Sequence, residues 1–360
     1  MRIPRPWRQK RTISWLKCTS KILQNLLYEA LKQTGCAVCT PRFLTTLSKG
    51  EIKLKKRQSP KNGIALTERA KDVLFGYGLL LPTFLVFSIV ILYPIISAVI
   101  RSFCDYTFLT VNKPLKWNDF ANYKTIFKNG FLTQLWTTMK FTVGTVGIEL
   151  VLGMSIALLL NTKIRGRNAL RSVFLMPWCI PSIVTALLWS WLFQAQYGII
   201  NYVLYGLGLI SNPTAEWVLN PSTSLGVVTI AVVWRQTPYM LVMILAGLQS
   251  INHDLVEAAS IDGANSFRVF WHITLPGIRV VLGNTIITCI MASFQQFTII
   301  YNMTAGGPLG KTTTLSIAAY KQAFTQLDLG AGSAIGVIWM MLLGAAIAIY
   351  NMKTKRFDEL

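Results

Sequence analysis

The sequence predicts an all-α integral membrane protein with six transmembrane helices. Three observations carry that prediction. Of the 360 residues 52% are hydrophobic, only 14% are charged, and the apolar residues collect into six long runs. Soluble domains carry about a quarter charged residues, so composition alone points to lipid as the solvent. The net charge of +21 does not indicate a nucleic-acid binder. The basic residues crowd before residue 73 and then recur only in short clusters between apolar runs, whereas such a binder presents a basic face on a folded domain.

Spanning a hydrocarbon core of about 30 Å takes roughly 20 apolar residues in a helix, because lipid offers no partner to free backbone N–H and C=O groups. The stretches 74–100, 136–160, 170–193, 225–248, 281–301 and 331–350 meet that length. Pro177 and Pro181 interrupt the third and Pro238 the fourth. They predict kinks within spans, since neighbouring helices in a bundle compensate for the bonds that proline removes.

The bias of Lys and Arg in short loops sets orientation. Lys163, Arg165, Arg167 and Arg171 follow the second span, and Lys353, Lys355 and Arg356 follow the sixth. Those ends are expected in the cytoplasm. The loop between the third and fourth spans has no Lys or Arg from Gln194 to Ser224, as an outside loop should. Lys113, Lys116, Lys124 and Lys128 in the first outer loop weaken this signal without reversing it. Both termini therefore come out cytoplasmic, with the protein in the plasma or inner membrane.

On this basis the chain divides into a basic tail at 1–73, a six-span membrane domain at 74–353 that contains the loop 249–279, and a short cytoplasmic tail at 354–360. The first segment does not read as a secretory signal, because Lys17, Lys21, Glu29 and Lys32 interrupt its apolar residues and no small-residue cleavage site follows. Trp15, Leu16, Ile22, Leu23, Leu26, Leu27, Ala30 and Leu31 recur at helical spacing with lysines opposite. That pattern fits an amphipathic helix on the inner membrane surface or an extension without a role. Residues 49–61, with Lys53, Lys55, Lys56, Arg57 and Pro60, read as a solvated tether. The six cysteines are scattered. Cys36 and Cys39 form a lone C-x-x-C without a second pair or a nearby histidine, so chance spacing accounts for them; Cys179 and Cys289 sit in apolar runs as small hydrophobes.

The loop 249–279 has a polarity pattern unlike a linker. Asp254 is placed to cap a short helix through Glu257, Ala258 and Ala259, Gly263 to break it, and Ser266 to cap a second helix reaching Pro276. Two short helices meeting at a glycine make a compact knob suited to a groove on another protein. The segments Glu257-Ala258-Ala259, Asp262-Gly263-Ala264 and Ile273 to Leu275-Pro276 resemble the EAA coupling loop of permease subunits in binding-protein-dependent ABC importers. Leu81-Pro82, Tyr93-Pro94, Asn122-Tyr123, Asn161 to Arg171 and Thr304 to Pro308 add to the resemblance, which covers roughly 74–353 and is nearest to the carbohydrate branch that includes the maltose permease.

That resemblance implies the six-helix fold of type I importer permeases and no catalytic role. It implies that Glu257, Ala258, Ala259, Asp262, Gly263, Ala264, Leu275 and Pro276 engage a cytoplasmic ATPase. Its implied partners are a homologous second permease, an ATP-binding cassette dimer and an extracellular or periplasmic solute-binding protein. No cofactor is implied for this chain, because ATP is used by the separate ATPase. A short, internally capped hairpin tied to two spans also transmits rigid-body motion on physical grounds.

Polar groups within a membrane are costly and mark function by default. Arg235, Gln236 and Tyr239 open the fourth span, and Ser293, Gln295 and Gln296 lie in the fifth. Aromatic faces stack on the CH-rich surface of sugar rings and amides bridge hydroxyls. In maltose-type members the cavity contacts come from these two spans, and the matching positions are Gln236, Tyr239, Cys289, Ser293 and Gln296, of which only the tyrosine keeps its residue type. Two alternatives stand beside a cargo role: these groups form interhelical hydrogen bonds, or the partner permease holds the sugar. Arg235 has the further option of snorkelling to the outer headgroups. Glu149, the lone acid deep in the second span, reads as a buried hydrogen-bonding group or as a proton-coupling one.

Ala305 to Thr312 (AGGPLGKT) nearly matches a phosphate-binding loop, but Ala305 replaces the first glycine and no strand precedes it. His253 and His272 are the only histidines and stand without an acid pair or nucleophile, as loop packing residues. An ion-coupled carrier would need several intramembrane acids and an inverted repeat, and a membrane enzyme a cluster of Asp, Glu or His. Among ABC cargoes, glycerol phosphate is the alternative to a sugar.

Overall fold

A computed structural model describes residues 64–110, 112–162 and 164–358. The expected amphipathic helix at 15–31, the tether at 49–61, and Cys18, Cys36 and Cys39 lie outside these residues. The chain forms two units, Met1–Leu81 and Pro82–Leu360. The described part of the first is helical, within α1 (Ile64–Phe87). The side chains of Leu79, Phe84, Ile89 and Val90, in the candidate span Phe75–Ser102, are exposed; a helix apolar all round belongs in lipid or against a partner.

In the second unit, a π-helical turn at Ser88–Leu92 leads into α2 (Tyr93–Ser102). A small antiparallel hairpin of β1 (Cys104–Asp105) and β2 (Lys116–Trp117) pairs Cys104 with Trp117. After α3 (Ala121–Lys128) comes α4 (Phe131–Asn161), five residues longer at its start than its apolar run predicts. The third apolar run becomes α5 (Arg167–Cys179) and α6 (Ser182–Leu192), and α7 (Ile199–Gly206) lies in the following loop. The fourth is a single helix, α8 (Ser224–Gln249).

The third run departs from expectation, because its two helices meet at 98°. Proline disfavours the α region for the residue before it, and Ile180, preceding Pro181, is extended at φ −79 and ψ 130. Pro177 and Pro238 sit inside uninterrupted helices. The fifth run is also divided, into α12 (Arg279–Phe294) and α13 (Thr298–Thr304). The C-terminal halves of the two divided runs, α6 and α13, pack against each other. The chain ends with α14 (Leu315–Tyr320), a π-helical turn at Lys321–Thr325 and α15 (Leu329–Asp358), which runs past the expected span end at Tyr350.

The core forms around α4 and α8, which pack extensively. The buried face of α4 repeats at helical spacing through Thr138, Thr142, Thr145, Glu149, Gly153, Ala157 and Leu160. Gly153 sets the closest approach, since a Cβ there would lie 2.7 Å from Met240 Cγ and 3.3 Å from the Leu241 nitrogen. Backbone cannot yield as a side chain does. Gly153→Leu is therefore expected to cost about 1–3 kcal/mol, read as a lower melting midpoint of the purified protein in detergent. Gly147→Leu, where a Cβ meets nothing within 4 Å, should leave the midpoint in place.

Candidate functional site

The hairpin between the fourth and fifth spans is built from α9 (His253–Ile261), α10 (Ser266–Val269), a π-helical turn at Phe270–Thr274 and α11 (Leu275–Gly277). Its caps differ from those expected. Asn252 caps α9, its side chain accepting the Asp254 N–H at 3.0 Å, and Asn265 caps α10, accepting the Arg268 N–H at 2.9 Å. An asparagine oxygen just ahead of the helix reaches the free N–H groups of the first turn, whereas Asp254 and Ser266 already lie inside their helices. Asp254 still contributes as an acid in the first turn of α9.

Gly263 ends α9 in a Schellman arrangement. The Ala264 N–H donates to the Ala259 carbonyl at 2.9 Å and the Gly263 N–H to the Ser260 carbonyl at 3.2 Å. Gly263 has φ +77, a conformation that costs other residues about 1–2 kcal/mol. The glycine thus fixes the angle between the two short helices. The spacing of Glu257-Ala258-Ala259 and Asp262-Gly263-Ala264 is that of a helix end with its cap.

The base of the hairpin is anchored in the core, while its tip is exposed. Leu248 and Ile278 join the core cluster that contains Met240 and Cys289, and Gly277 packs on Ile251. At the other end Leu255, Phe267, Trp271 and Ile261 are exposed, Ile261 to 82%. Glu257, Ala258, Asp262 and Gly263 are exposed beside them, and Ala264 is half-buried. His253 and His272, expected to pack within the loop, are exposed as well. Phe267 and Trp271 meet edge to face with centroids 6.1 Å apart, and the four large apolar side chains stay exposed on one small protrusion.

The polar residues of the spans fall into two groups. Arg235, Gln236 and Tyr239 are half-buried on α8. Arg235 is tied to the end of α5: its Nε–H donates to the Ile180 carbonyl at 3.1 Å. That oxygen lies at the bend before Pro181, and the guanidinium supplies the donor that the helix has lost. The Tyr239 ring meets Trp178 of α5 with centroids 6.1 Å apart. Arg235 and Tyr239 thus hold the end of α5 at the break.

Cys289, Ser293 and Gln296 are buried on and just after α12. Cys289 lies beside the carboxyl of Glu149 on α4. The hydroxyls of Thr142, Thr145 and Ser293 are buried and have no hydrogen-bond partner among the described residues. The Gln296 carbonyl accepts the Ser316 hydroxyl at 2.8 Å. Backbone irregularity at membrane depth is tolerated where it is buried in protein or lines a cavity, and broken helices mark the pathways of transporters. Ser293 and Gln296 flank such an interruption between α12 and α13, while Cys179, expected to pack, is exposed on α5.

The near-match to a phosphate loop is a closed turn after α13. Thr312 Oγ1 donates to the Gly307 carbonyl at 2.6 Å and Thr313 Oγ1 to that of Gly306 at 2.8 Å, so the turn binds itself. Three features escaped the sequence: the capping asparagines, the exposed apolar tip and the Arg235 contact. The first leave a readable signal, Asn immediately before a short helix. The Arg235 contact joins residues 55 apart and leaves none.

The family described as binding-protein-dependent transport system inner membrane component matches residues 149–352. The trehalose/maltose transport system permease protein of Thermococcus litoralis is 34% identical over 298 residues, covering 82% of this chain and 98% of that protein. The sulfoquinovosyl glycerol transport system permease protein of Agrobacterium fabrum is 34% identical over 280 residues, 78% of this chain and 90% of that one. The crystal structure of a bacterial ABC transporter that imports the acidic polysaccharide alginate shares the fold, with a TM-score of 0.69 at 20% identity over 81% of this chain and 99% of that chain.

Proposed function

This chain belongs to the family of binding-protein-dependent transport system inner membrane components, and we propose that it forms one half of the translocation pathway of an ATP-driven importer for a sugar or oligosaccharide. The observation that carries the coupling part is the capped hairpin, anchored at its base and apolar at its tip. In this reading the tip, with Glu257, Ala258, Ala259, Asp262, Gly263 and Ala264, seats in a cleft of a separate ATPase subunit. Leu275 and Pro276 join the hairpin to α12. When two ATPases close on nucleotide, the hairpin carries the movement into α8 and α12 as a rigid lever.

The remaining assembly follows from the same reading. A homologous permease completes the channel, a solute-binding protein delivers cargo from outside, and both termini lie in the cytoplasm. Hydrolysis belongs to the ATPases. The sugar cargo is supported by the names of the relatives and by aromatic and amide groups at the interrupted spans. Within the pathway we assign Arg235, Gln236 and Tyr239 to the partly open wall. Cys289, Ser293 and Gln296 line the buried seam behind the interruption of the fifth span. The experiment is reconstitution of the full complex in proteoliposomes with its binding protein, followed by a panel of sugars and glycerol phosphate. Uptake of a sugar driven by ATP is expected; uptake of glycerol phosphate alone overturns the sugar assignment.

A further inference from the structure

The loop between the third and fourth spans is held in one shape by a buried amide. Asn201 of α7 is 1% exposed. Its Nδ2 donates to the carbonyls of Ala195 and Ala215, both at 3.1 Å, and its Oδ1 accepts the indole N–H of Trp217. One side chain thereby ties two separate strands of loop together and fixes the plane of Trp217. Around it, Gln194 Oε1 accepts the N–H groups of Gln196 and Tyr197 at 2.7 and 3.1 Å, and Thr223 Oγ1 donates to the Trp217 carbonyl at 2.6 Å. Gly198 is required beside this clamp, because a Cβ would collide with the carbonyls of Leu192 and Gln194. Loops ordinarily move and vary. A loop locked by its own buried hydrogen bonds is pre-organised, and that lowers the cost of binding.

The clamp surrounds a cavity of about 490 Å³ lined by Ser190, Gln194, Gln196, Glu216 and Trp217 among others. That volume lies within the range of small-molecule sites. The Ser190 hydroxyl is buried without a partner among the described residues, and Glu216 is the only acidic residue between Glu149 and Asp254. A fixed indole, two amides and a carboxylate make the chemistry that a pyranose ring takes: its CH-rich face stacks on the indole and its hydroxyls donate to the carboxylate. Across the wall formed by Val218 and Leu219 lies a second cavity of about 230 Å³, lined by Tyr301 and Asn302. From Tyr301 a line of rings continues, with Tyr301 and Tyr320 at 5.0 Å and Tyr320 and Phe324 at 5.1 Å between centroids.

We propose that the Trp217 cavity is a sugar subsite at the outer mouth of the permease, with a second subsite beyond Val218 and Leu219. A cargo of two or more sugar units is received there before it reaches Gln236 and Tyr239. The proposal rests on the sugar-importer reading and on the outward orientation of this loop. The test is saturation-transfer NMR on the complete transporter in nanodiscs, without binding protein, using maltose and trehalose as probes. Transfer to at least one sugar is expected for the wild type. It should be lost in Trp217→Leu and reduced at least fivefold in the double variant Glu216→Gln with Gln196→Ala. The double variant alters two solvent-facing side chains and so stays informative if Trp217→Leu fails to fold. In proteoliposomes it should raise the apparent KM for sugar uptake about fivefold. Wild-type import of sugar together with unchanged transfer and KM in the double variant overturns the subsite and leaves the importer reading standing. A wild-type complex that imports no sugar overturns both.

Discussion

Glu257→Lys is expected to leave the protein in the membrane at normal abundance while abolishing uptake and ATP hydrolysis stimulated by the binding protein. Glu257 is exposed on α9, so its replacement removes nothing from the core. The exposed tip around it, Leu255, Ile261, Phe267 and Trp271, is what the proposed ATPase cleft covers. A charge reversed within such a contact costs about 2–5 kcal/mol, which lowers occupancy of the docked state by more than about tenfold. Gly263→Asp should act through the backbone as well, since φ +77 suits glycine and the new carboxylate sits at the tip. Gly263→Asn separates the two effects, because asparagine tolerates the left-handed region and adds no charge. It should retain measurable uptake. Equal loss in Asn and Asp variants would show that the glycine is needed for space and not for conformation or charge.

Arg235→Ala is expected to produce the next largest loss. Its Nε–H is the donor that the Ile180 carbonyl receives at the 98° bend. Removing it leaves a carbonyl unpaired within the bilayer, at a cost of about 1–3 kcal/mol. The bend between α5 and α6 then loses its hydrogen bond to α8. Uptake should fall at least about tenfold and the melting midpoint in detergent should drop. Arg235→Lys keeps one charged donor on a shorter, non-planar head and should recover part of the midpoint. A midpoint unchanged in Arg235→Ala would show that the bend is held by Pro181 alone.

Much of the fold was legible because apolar length is the dominant constraint in lipid. The fourth run, 225–248, differs by one residue at each end from α8. The helix interruptions were harder to read, for a specific reason. Pro177, Pro181 and Pro238 are chemically alike, and only Pro181 coincides with a break. That break is stabilised by an arginine 55 residues away, which no local pattern displays. In the fifth run the apolar composition continues across Gln295 and Gln296, so the interruption between α12 and α13 is invisible to hydropathy. The hairpin was legible as two helices around Gly263, because capping chemistry is local, although the caps proved to be Asn252 and Asn265. Its projection from an anchored base was not legible, since it depends on Ile278 and Leu248 packing into a core formed by distant helices.

The hairpin's insertion into a nucleotide-hydrolysing partner is tested most directly by placing a photo-reactive residue at Ala258 in the assembled transporter. Irradiation is expected to give a covalent product with the ATPase subunit, at a yield that changes when ATP is bound. A product with the binding protein, or none with the ATPase in a complex that still transports, would contradict the account.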